Sequence, residues 1–243
     1  AVDAAPYSTI APNLPGPAAE QVTISGRGTK GPLVGATVAL YAMDASGYQL
    51  GPEPVASTLS DSEGNWELVA DSTLDYLVVA TGGRYVDEAD TNPVERRVIE
   101  LAASDQLLSV LLRGETSVAI TVFTDALIEK SRRETAAENF VDVLAANRNL
   151  FVAALGFDVL SVLPADPLAP VGNREQIAYA MAAGGIANAI NSLAIVMQDS
   201  SPDFRHIQWI SKDLTDCRLD GRGSAVSRPD SRLRRAELYS EPP

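Results

Sequence analysis

Asp213, Asp216 and Asp220 stand three and four residues apart just ahead of Gly221, and Asp87, Glu88 and Asp90 fall close together after Gly82-Gly83. Calcium takes roughly six to eight oxygen ligands, and closely spaced loop carboxylates supply part of such a shell. Asp213, Asp216 and Asp220 are the stronger calcium candidates, with a spacing that departs from the alternate-residue ligands of an EF-hand. Helix capping and solvated loop charge account for both groups without a metal, so no cofactor is required. A carboxylate pair also drives glycoside hydrolysis when it flanks a cleft, but nothing in the linear order brings two of these acids together. Nucleophilic catalysis has less to work with. There is no Gly-x-Ser-x-Gly elbow, the sole histidine, His206, lies in an apolar helical stretch between Phe204 and Trp209, and the sole cysteine is Cys217. His206 is read as a hydrogen-bonding helix residue and Cys217 as packing. Gly26-Arg-Gly28 and Gly221-Arg-Gly223 lack the Gly-Lys-Ser/Thr context of a phosphate loop and are read as turns. No catalytic residue is assigned.

The elements that would position these groups change character along the chain. Residues 1–19 are rich in Ala, Pro and Gly and read as a flexible leader. Short, partly alternating apolar runs follow at 22–24, 36–41, 55–58, 66–69, 76–79, 98–101 and 107–112, separated by Gly, Pro, Asp and Asn at about ten-residue intervals, the rhythm of a sandwich. From about Thr116 the apolar period becomes helical. Val122, Phe123, Ala126 and Leu127 mark a first helix. Thr135 to Glu138 forms a capping box for a second, with Phe140, Leu144, Phe151 and Leu155 on its stripe and Gly156 as its stop. Asn173 with Gln176 caps a third helix, and Ser201-Pro202 opens a fourth with Pro at the first helical position. Strands first and helices second, without interleaving, predict an α+β chain: an N-terminal antiparallel β-sandwich over 20–115, an α-helical bundle over 116–222 and a basic tail over 223–243. Val38, Leu40, Trp66, Leu68 and Val78 are expected in the sandwich core.

The segment 177–197 carries no charge over 21 residues, a length that crosses a bilayer. Asn188, Asn191 and Ser192 would need partners in hydrocarbon, and alanine dominates the apolar count, so a buried bundle helix is expected instead of a membrane span. Its Gly184-Gly185 pair predicts a close approach by a neighbouring backbone, with Gly184→Leu overpacking it. The net charge of −13 repels phosphate backbones and excludes general nucleic-acid binding.

The run Gly31-Pro-Leu-Val-Gly-Ala-Thr-Val-Ala-Leu-Tyr41, followed by Ser60-Asp-Ser-Glu-Gly-Asn-Trp-Glu-Leu68, resembles the carboxypeptidase regulatory-like domain, a small transthyretin-like β-sandwich. With Thr81-Gly-Gly-Arg-Tyr-Val-Asp-Glu88 and the stretch Asp213-Leu-Thr-Asp-Cys-Arg-Leu-Asp-Gly221, the layout is similar to uncharacterised bacterial exported lipoproteins. The resemblance implies a sandwich fold and a place outside the cytoplasm, extracellular, on the cell surface or periplasmic, and it implies no reaction. The expected function is a non-catalytic interaction or structural protein whose partner is another envelope protein or copies of itself. A glycan partner, as in a carbohydrate-binding accessory protein, and a carboxylate-based hydrolase are the alternatives.

Overall fold

Where a strand is buried on one face only, its residues alternate, and the strand Asn65–Asp71 shows this plainly: Trp66, Leu68 and Ala70 point inward while Glu67 and Val69 face solvent. The computed structural model describes residues 20–90, 92, 94–135 and 140–219. Its strands are β1 Gln21–Gly28, β2 Thr37–Ala42, β3 Ala56–Leu59, β4 Asn65–Asp71, β5 Tyr76–Thr81, β6 Arg84–Val86, β7 Val98–Glu100, β8 Gln106–Leu111 and β9 Ser117–Ile120. Its helices are α1 Val122–Glu134, α2 Phe140–Leu155, α3 Arg174–Val196 and α4 Phe204–Asp213, the last continued by a 3₁₀ turn, Leu214–Asp216. The chain is therefore α+β. The strands form sheets of order β4-β1-β9 and β3-β2-β5-β8, and β6 pairs with β7. Every pairing is antiparallel except that of β1 with β9.

The second sheet departs from simple alternation. Val38, Leu40 and Val78 occupy one face, yet Ala39, Leu77 and Val79 on the other are buried as well. Helix α1 packs along β8, so this sheet has little open surface, and β5 is apolar from Tyr76 to Ala80. Trp66, Val38, Leu40, Leu68 and Val78 all belong to one apolar cluster that continues through Phe123, Leu127, Leu144 and Ile190 in the helices.

Several expectations are corrected. The helical period read from Thr116 overlooks β9, whose Val118, Ala119 and Ile120 are fully buried beside β1. Three apolar residues running almost directly into a helix offer no period of their own. The short strand β6 was also not anticipated. Gly26 and Gly28 are not turn residues. Both lie within β1, and Gly221 and Gly223 fall outside the described residues. Helix α4 begins at Phe204 with Asp203 as its N-cap, so Pro202 precedes the helix. Asp203 accepts from the Arg205 amide, which satisfies a terminal donor better than a serine two residues earlier could. The capping box at 135–138 falls largely outside the described residues, whereas that of Asn173 and Gln176 is present.

Helix α3 buries Tyr179, Ala183, Ile186, Ala187, Ile190 and Leu193 and exposes Met181 and Ile195. It is long and apolar enough to cross a membrane, with 44% of its most apolar stretch buried. It packs chiefly on α4. No neighbour approaches Gly184 or Gly185: a Cβ built on either meets nothing within 4 Å, and Gly185 is exposed. The predicted close backbone contact is absent, and with it the reason for Gly184→Leu to overpack. Gly184→Ala is expected to stabilise the protein by about 0.5–1 kcal/mol through helix propensity alone, read as a higher denaturant midpoint.

Candidate functional site

Helix α1 is fastened to the sheet at its first turn. Thr121 accepts from the Phe123 and Thr124 amides, and the Thr124 hydroxyl donates to the Leu108 carbonyl at 2.6 Å. This anchoring sets Asp125 and Glu129, one turn apart, along a cleft of about 220 Å³. Ser104, just ahead of β8, with Gln106 and Leu108 of β8 forms one wall, and Gln208, Ser211 and Lys212 of α4 form the far wall. The Asp125 carboxylate is held on both oxygens: Oδ1 accepts from the Leu108 amide at 3.3 Å and Oδ2 from the Ser211 hydroxyl at 2.6 Å. Burial pushes its pKa up to about 6, with the Glu129 charge adding to the rise, while Ser211, Leu108 and Arg132 oppose it. Glu129 is paired with Arg133 at 2.9 Å.

A carboxyl whose pKa is raised in the fold destabilises it once ionised. In wild type, the Asp125 contribution is therefore most favourable below about pH 4 and is lost as pH rises through about 6. Asp125→Asn should remove that dependence. The stability difference between variant and wild type should shift in favour of the variant by up to about 3 kcal/mol between pH 4 and 7, measured by urea denaturation at each pH.

The sole histidine is wholly buried and committed. His206 Nδ1 accepts from the Asp203 amide at 3.0 Å, which leaves Nε2 to carry the proton and donate to Asp199 Oδ2 at 3.0 Å. Neither nitrogen keeps a lone pair for a substrate. Cys217 sits in the left-handed region (φ 63°) behind the 3₁₀ turn, half-buried, and burial pushes its thiol up. A His–Cys dyad is not formed by groups so placed.

In the acidic cluster of Asp87, Glu88 and Asp90 each carboxylate has hydrogen-bond partners of its own. Glu88 is buried, accepts from the Gly31 amide at 3.1 Å and faces the buried Lys30 ammonium at 3.5 Å, which lies over the Tyr85 ring. Burial raises the Glu88 carboxyl, and Lys30 draws it back down. Asp90 accepts from the Asn92 and Arg97 amides, and Asp87 from the Ala89 amide. Of the calcium candidates, Asp213 is buried at the end of α4, Asp216 accepts from the Arg218 amide at 2.9 Å, and Asp220 lies outside the described residues. Among the described residues no three His, Cys, Asp or Glu side chains gather as a metal-holding group.

The cleft was not anticipated from sequence. Its one legible signal is the four-residue spacing of Asp125 and Glu129, which any solvated helix face shares. No family model matches the chain, and no curated protein matches it.

Proposed function

We propose that the protein is a non-catalytic interaction module of the bacterial cell exterior, built as an antiparallel sandwich with a C-terminal helical bundle, that associates with another envelope protein or with copies of itself. The supporting observation is the commitment of its reactive side chains: both His206 nitrogens are used internally, and the Cys217 thiol is held protonated. The surface suited to association is the pair of sheet edges β3 and β4, where Leu59 and Val69 are exposed and backbone groups at the edge accept a further strand. Sedimentation of the full chain should show concentration-dependent self-association that Leu59→Lys weakens about tenfold or more. A chain that stays monomeric at every concentration and binds glycans saturably on an array would instead be a carbohydrate-binding accessory protein.

Asp125 and Glu129 favour a second reading, a carboxylate-based hydrolase. Residues four apart on a helix place their Cβ atoms about 5–6 Å from each other, within reach of the carboxyl separations that cleave glycosidic bonds. Turnover of a glycoside that both Asp125→Asn and Glu129→Gln abolish would establish this reading and displace the first.

A further inference from the structure

We propose that the cleft between α1, β8 and α4 binds a small zwitterion, a molecule of free amino-acid size bearing one ammonium and one carboxylate. The charges on its walls are complementary and kept apart. Asp125 lies on α1, while Lys212 on the opposite α4 wall makes no ion pair among the described residues. Glu129 is paired with Arg133, so Asp125 is the cleft carboxylate without an ion pair among the described residues. Its two oxygens are oriented by Leu108 and Ser211, and each retains a further acceptor direction for an incoming ammonium.

Between the two charges, the Ser104, Gln106 and Gln208 side chains make no hydrogen bond among the described residues and supply donors and acceptors. A volume of about 220 Å³ falls below the roughly 300–1,000 Å³ of sites for drug-sized ligands, so the occupant is small. Other classes fit worse. A saccharide finds no aromatic ring in the lining on which to stack, a dianion meets two carboxylates, and a bare cation meets Lys212.

The test is titration calorimetry of the full chain at low salt with glycine and L-alanine, beside acetate, ethylamine and methyl glucoside. Saturable one-to-one binding of the amino acids is expected, with acetate and ethylamine at least about tenfold weaker. Lys212→Met and Asp125→Asn should each weaken binding about tenfold or more while retaining the wild-type melting profile at the assay pH, apart from the stability shift expected for Asp125→Asn. Binding should also fade as pH drops below about 6. The charged groups around Asp125 are Glu129 and Arg132 of α1 and Lys212 of α4, and Asp125 is the one that gains a proton in that range. No saturable binding of either amino acid, equal binding of acetate, or preference for the glucoside would overturn the proposal. Self-association lost or retained in the same samples bears only on the interaction reading, so the two fail separately.

Discussion

Gly26→Ala should cost at least about 3 kcal/mol, a large share of the roughly 5–15 kcal/mol by which an ordinary domain is stable. Gly26 lies in the middle of β1, opposite Trp66 on β4, and the indole lies flat across the place where a Cβ would stand. A Cβ there would overlap the ring and come within 2.6 Å of the Val118 carbonyl on β9. The ring cannot swing aside, because it is buried at 3% exposure within the core. Overpacking costs about 1–3 kcal/mol where neighbours can yield, and here one neighbour is backbone. Trp66→Ala should by itself cost about 3–5 kcal/mol as a cavity. The double variant should be less destabilised than the sum, since the ring clash is gone, yet worse than Trp66→Ala alone, since the carbonyl contact remains. Denaturant midpoints for the four chains close that cycle. Additive losses would mean that ring and glycine are not in the contact described.

The second large effect is expected at Lys30 and Glu88. Both side chains are 2% exposed and 3.5 Å apart. Removing one member of a buried pair strands the other charge, at about 3–5 kcal/mol, whereas replacing both with apolar groups of similar size is often neutral. Lys30→Met should therefore destabilise strongly, and Lys30→Met with Glu88→Leu should recover most of the loss. The recovery is partial because the Gly31 amide loses its Glu88 acceptor. Thermal or urea unfolding of the two variants decides it: a single variant as stable as wild type would show that the pair is solvated.

Alternation made most of the strands legible. Trp66, Leu68 and their neighbours are buried in the register that the polar residues between them require. What stayed hidden was short or non-local. Nothing in Ser117 to Ile120 alternates, and the partner that makes it a strand is β1, far back along the chain. The glycine pair of α3 pointed to a close contact that the fold does not make, because composition reports a cost and not its cause. The cleft draws on three separated segments, around Ser104 to Leu108, Asp125 to Glu129 and Gln208 to Lys212. None of them carries a motif alone, and only the seating of α1 on β8 assembles them.

The parallel pairing of β1 with β9 bears on how the chain emerges during synthesis. Ser25 is matched with Ser117, so β1 gains its second neighbour roughly ninety residues later. At about 5–20 residues per second that is a wait of roughly five to twenty seconds. Throughout it one side of β1 offers unpaired backbone to any passing strand. A fragment cut ahead of Ser117 would make that interval permanent, and the shortest piece with β1 paired on both sides runs through Ile120.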